Sequence, residues 1–173
     1  MGKYQILVNI LDRMRSEAPL KYGRYFPDPM DSEKLDQARA RIFIHLFLKV
    51  RYGIADFEER EKYITDGPYD GGIDAYYINR EEKKIVFLQS KFRGNQKNFE
   101  TKRIFVEEIL HMEIDRILEG ECEDEGGNFY NGKILRMIKN IHGIEDIGRY
   151  HYEVILLANL DEAHYKKSQI RKL

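Results

Sequence analysis

The sequence predicts an α/β fold in which a central mixed sheet is flanked by helices. Three observations predict it. Residues 33 to 52 place apolar side chains at helical spacing. Residues 72–79 and 83–92 read as two strands joined by the short polar turn Asn79-Arg80-Glu81-Glu82, an antiparallel hairpin. A helical pattern then separates this hairpin from the apolar run 151–158, so the last strand needs a crossover and joins in parallel.

The elements follow in order. Residues 4 to 17 predict an amphipathic helix with Ile6, Ile10 and Met14 on its buried stripe. Pro19, Pro27 and Pro29 make the next stretch a loop. Together, residues 1–30 form a helix and proline-rich loop that pack on a main domain of residues 31–173. Asp31 or Ser32 caps the helix 33–52, and Gly53 ends it. Ala40, Phe43, Phe47 and Val50, with Ile44 and Leu48, give it a wide apolar face that predicts burial. Residues 61–65 predict a short edge strand ahead of the hairpin. After the hairpin, 99–118 predicts a helix with Ile104, Ile109 and Ile117 on its apolar side. Glu119 to Gly127 is a solvated acidic loop, 131–141 a shorter helix, and 151–158 a buried strand. The segment from Asp161 is helical and basic, and it stops as the N-terminal piece of a longer protein would.

Composition narrows the class. The chain has 173 residues, 42% hydrophobic and 34% charged, which supports one packed core under a well-solvated surface. The net charge of −1 provides no global field toward nucleic acid, so any such binding must come from a local patch. Cys122 is the sole cysteine, which excludes an intrachain disulfide and a cysteine zinc site and fits a reducing, cytoplasmic setting. No apolar stretch has the length of a membrane span, and the opening residues turn charged at Asp12 and Arg13, unlike a signal peptide.

The chemistry concentrates in Asp70-Gly71-Gly72-Ile73-Asp74 and Gln89-Ser90-Lys91. In an antiparallel hairpin the start of one strand lies beside the end of the next, so Asp74 is expected near Gln89 and Lys91. Gln89 and Lys91, two apart, share a face with Ile85 and Phe87. A carboxylate with an amide oxygen and the Ser90 carbonyl is a hard oxygen set for a divalent cation. Such an ion polarises a phosphate and activates a water, and a neighbouring lysine offsets developing charge. Asp70, in good turn chemistry, reads as structural. Arg93, Lys97, Lys102 and Arg103 follow as a basic stretch able to grip phosphates. Tyr76 and Tyr77 read as packing residues, and His45 as a buried histidine. The remaining histidines show no ligand spacing.

The run Asp70-Gly-Gly-Ile-Asp74 with Gln89-Ser-Lys91 resembles the core of the PD-(D/E)XK, or restriction-endonuclease-like, superfamily in its Mrr-like branch, where glutamine commonly replaces the second acid. Ile73-Asp74-Ala75-Tyr76-Tyr77-Ile78 and Phe87-Leu88-Gln89-Ser90-Lys91-Phe92-Arg93 look closer still to the N-terminal part of AIPR-type abortive-phage-infection proteins. The motif-bearing resemblance covers residues 33 to 92. It implies an αβββαβ core, a metal-dependent endonuclease and a role in bacterial defence against phage. A further acid is often present on the preceding helix. Mid-helix this chain has Arg39, Ala40, Arg41 and Ile42 instead, leaving Asp36, ahead of Glu33, as the candidate.

The expected function is therefore hydrolysis of DNA phosphodiester bonds, with catalytic Asp74, Gln89 and Lys91. Mg2+ or Mn2+ would be held by Asp74, Gln89, Ser90 and Asp36. The expected partners are nucleic acid and a second copy of the chain. Two alternatives stand beside this reading: a weak or inactive nucleic-acid- or partner-binding module on the same fold, and a nuclease acting on RNA.

Overall fold

The computed structural model describes residues 2–104 and 111–159. They form a mixed α/β protein with six α-helices and a three-stranded mixed sheet in the order β1-β2-β3. The chain divides into two compact units. The described part of the first comprises residues 2–62, 90–104 and 157–159, and that of the second 63–89 and 111–156. The N-terminal helix and proline-rich loop share the first unit with the long helix that follows.

The first unit is built on α1 (Lys3–Arg15) and α2 (Ser32–Tyr52). α1 buries Val8, Leu11 and Met14, while Ile6 and Ile10 face solvent. The expected stripe of Ile6, Ile10 and Met14 is thus corrected. Two stripes have helical spacing, and the one that also contains Leu7 meets Tyr25, Ile42 and Phe43. Asp31 caps α2 by accepting from the Lys34 N–H (3.0 Å), and Gly53 ends it at φ +69°. Val50, expected inside, is exposed near that end, and α2 buries Ala38, Ile42, Ile44, His45 and Leu48.

The strand expected at 61–65 is reduced to an isolated bridge of Ile64 to Ala75, just after α3 (Phe57–Glu61). Local chemistry starts α3. Asp56 accepts from the Glu59 N–H (2.8 Å), and Glu58 and Glu59 lie in the first turn, where a helix favours acids.

The second unit contains the hairpin. β1 (Ala75–Asn79) pairs antiparallel with β2 (Lys84–Lys91), Ala75 opposite Leu88. β2 is the central strand, and it buries every residue from Ile85 to Gln89, as a strand covered on both faces must. Ile85 and Phe87 join Tyr76, Ile134, Met137 and Ile141 in the unit's core. β3 (His151–Ala158) is an outer strand of the described sheet. It is not the buried strand expected, since Tyr152 and Val154 are exposed.

The single helix expected at 99–118 is broken into α4 (Gln96–Thr101) and α5 (Ile114–Glu119). Lys102 already has extended backbone angles, and the Glu113 N–H donates to the Gly71 carbonyl (2.9 Å) instead of into a helix. Ile104 follows α4 outside any helix, Ile117 is buried on α5, and Ile109 lies outside the described residues. So does the basic segment from Asp161. α6 (Gly132–His142) matches its expectation and begins at the cap Asn131.

Candidate metal centre

The site starts where the first hairpin strand starts. The Asp74 N–H donates to the Leu88 carbonyl (2.9 Å), while Leu88 is also the partner of Ala75. Two residues of one strand therefore address one residue of the other, a bulge that re-aims the side chains beside it. On the opposite side, the Asp74 carbonyl accepts from the N–H groups of Thr65 (2.9 Å) and Asp66 (3.1 Å). This pulls the loop after α3 against the strand start.

The loop then turns back through Gly67-Pro68-Tyr69-Asp70-Gly71-Gly72. Asp70 builds the turn: its carboxylate accepts from the Gly67 N–H (3.1 Å) and the Gly72 N–H (3.0 Å). Gly71 and Gly72 both have positive φ. At Gly72 the requirement is double, because a Cβ there would sit 2.8 Å from the His111 carbonyl oxygen. Burial raises the Asp70 carboxyl above the ordinary carboxylate range, against the pull of those two N–H groups.

The result is a group of three half-buried carboxylates, Asp66, Asp70 and Asp74, whose ligand oxygens lie within 4.8 Å of one another. Sequence reasoning singled out Asp74, took Asp70 as a turn residue and missed Asp66. Asp70 is a turn residue, and the same turn brings its carboxylate to the group. The missed signal was the spacing: three aspartates at four-residue intervals in a glycine-rich segment.

Gln89 is 6% exposed, and its Oε1 is buried with no hydrogen-bond partner. An orphaned amide oxygen in the interior costs about 1–3 kcal/mol. Ser90 and Lys91 follow on the same strand, both half-buried.

Asp36 sits on α2 in the first unit. Its side chain is 42% exposed and pairs with Arg39 (3.5 Å). The carboxylate group belongs to the second unit. Glu33 is exposed and accepts from Gln37 (3.4 Å).

The basic stretch also lies in the first unit. Lys97, Lys102 and Arg103 are exposed on and after α4, and Arg93 donates to the Arg103 carbonyl (3.3 Å). Tyr76 and Tyr77 pack as expected. The Tyr76 hydroxyl accepts from Asn140 Nδ2 (2.8 Å), and Tyr77 meets Tyr63 edge-on.

No family model matches this chain, and no curated protein or solved structure matches it. No helix among the described residues is long and apolar enough to cross a membrane.

Proposed function

We propose that this chain is a metal-dependent nuclease that hydrolyses DNA phosphodiester bonds, with Mg2+ or Mn2+ as its ion. The observation that carries the reading is the gathering of Asp66, Asp70 and Asp74 at the strand start where the sequence motif falls. The donor chemistry fits the ion. Carboxylate oxygens suit a hard divalent cation, and the buried Gln89 Oε1 lacks the partner that an ion would give it. No histidine or cysteine belongs to the group, which disfavours zinc.

A bound cation of this class polarises a phosphoryl oxygen and acidifies a water. The chain's own residues do the rest. Asp74 and Gln89 orient the ion, with Asp66 and Asp70 supplying further charge. Lys91, two residues beyond Gln89 on β2, holds the attacking water and balances charge on the phosphate. Lys97, Lys102 and Arg103 grip phosphates without reading sequence. Anti-phage defence is the biological role to which the motif's resemblance points.

The test is cleavage of plasmid and of single-stranded DNA with Mn2+, Mg2+ or EDTA. Metal-dependent nicking that disappears in Asp74→Ala and Lys91→Ala supports the enzyme. Full activity in Asp74→Ala sinks the assignment.

A second reading, a binding module without turnover, draws on α2. Its middle carries Arg39 and Arg41 where a helix acid would stand, and Asp36 is engaged with Arg39. Binding without cleavage in every metal would favour it. An RNA substrate in the same assay separates the third possibility.

A further inference from the structure

Asn131 does more than begin a helix. Its Oδ1 accepts from the N–H groups of Lys133 (2.9 Å) and Ile134 (3.1 Å), which is all that capping α6 requires. Its Nδ2 turns the other way and donates to the carbonyls of Thr65 (3.2 Å) and Pro68 (3.1 Å). Its backbone N–H donates to the Tyr69 carbonyl (3.0 Å). One residue thus ties the first turn of α6 to three carbonyls that flank Asp66 and precede Asp70. A second tie lies close in sequence: the Tyr130 hydroxyl donates to Glu113, whose N–H holds the Gly71 carbonyl.

We propose that Asn131 is a positioning residue for the metal ligands, and that ion occupancy is felt at the start of α6 through it. This rests on the metal reading above. A loop with two of three acidic ligands resists their mutual repulsion only if its backbone is held from outside the acidic group. The Nδ2 donations supply that hold, and a cap residue alone has no need of them. Partners bonded directly to a ligating side chain are worth about 10–100-fold in metal affinity, and Asn131 acts one bond further out, through the loop backbone.

The test uses the full chain and Mn2+. Serine caps a helix nearly as well as asparagine but cannot span to both carbonyls. In Asn131→Ser, the loss of the two Nδ2 hydrogen bonds should lower the melting temperature in EDTA modestly, while Mn2+ affinity by calorimetry on the still-folded protein falls about 10-fold or more. Unchanged Mn2+ affinity in Asn131→Ser overturns the inference and leaves the metal reading standing. No Mn2+ binding by the unsubstituted protein overturns the metal reading, and this inference with it. A second measurement needs no variant. Mn2+ should slow hydrogen exchange at the Lys133 and Ile134 amides of the unsubstituted protein, and Asp74→Asn should abolish the effect. Exchange that Mn2+ leaves unaltered at both amides overturns the proposed coupling.

Discussion

Arg60 Nε donates to His45 Nδ1 at 3.3 Å, and both side chains are fully buried in the first unit. This fixes the histidine's tautomer. With Nδ1 accepting, the ring proton sits on Nε2, which faces Glu61 (3.2 Å) and the Tyr25 hydroxyl (3.0 Å). Tyr25 donates to the same Glu61 carboxylate (2.6 Å), Arg24 pairs with its other oxygen, and His45 stacks on Phe57. A second proton on His45 would point at the Arg60 N–H.

Stability should therefore fall in mild acid. Burial holds His45 below its ordinary 6.5, Arg60 and Arg24 add to this, and Glu61 opposes it. The unfolded chain takes up the proton as pH drops through 6.5 while the native protein resists. The contribution is complete above 6.5 and is lost progressively below it. Glu61 and Glu17 are each held below 4.5 despite burial, Glu61 by His45, Tyr25 and Arg24, and Glu17 by Lys49 and Arg60. They extend the loss at lower pH. Urea midpoints measured across this range should fall with pH, and the first part of the slope should disappear in His45→Gln.

Arg60→Ala should be among the most damaging single changes. The guanidinium also donates to the carbonyls of Ile54 (2.8 Å) and Ala55 (2.6 Å) and pairs with Glu17 (2.6 Å). Removing one partner of a buried ionic network costs about 3–5 kcal/mol. Arg60→Lys should recover little, because an ammonium lacks the planar fork that serves these acceptors. Equilibrium denaturation measures both.

Gly72→Ala and Gly53→Ala should separate two kinds of glycine. Both have positive φ, but a Cβ on Gly53 meets nothing within 4 Å. Gly53→Ala should cost about 1–2 kcal/mol, the backbone penalty alone. Gly72→Ala adds the collision with the His111 carbonyl and should cost more. It should also weaken Mn2+ binding, since Gly72 donates to Asp70.

Metal titrations also settle the ligand set. Asp66→Asn, Asp70→Asn and Asp74→Asn should each weaken Mn2+ binding. Asp36→Asn should leave it near the unsubstituted value, because Asp36 already pairs with Arg39.

The charge-reversed pair Lys97→Glu and Arg103→Glu should weaken DNA binding across sequences. The dependence of log affinity on log salt should become shallower by about one for each phosphate no longer neutralised. An unchanged salt slope would assign these residues to solvent alone.

The hairpin was legible because its signals are local, a strongly apolar run along 83–92 and a short polar turn before it, and α2 was legible from its Asp31 and Gly53 boundaries. The restriction-endonuclease-like core was an expectation from the motif. The structure shows a mixed α/β architecture, with a single bridge at Ile64 where a further strand was expected. What sequence could not give depends on distant partners. The helix expected over 99–118 ends at Thr101, and α5 starts only after Glu113, whose N–H bonds to Gly71, forty-two positions away. The loop that carries Asp66 and Asp70 is also bonded to Asn131, more than sixty residues later. Periodicity carries no trace of either bond.

The first unit draws on the beginning, the middle and the late part of the chain. Phe92 and Leu157 pack against the same cluster as Leu11 and Phe43. Truncation after Lys62 would keep α1 to α3 yet strip that interior of two of its walls. Separately expressed halves would therefore each arrive incomplete. Assigning activity to one unit calls for substitutions in the intact polypeptide, or for a circularly permuted version that makes its segments contiguous.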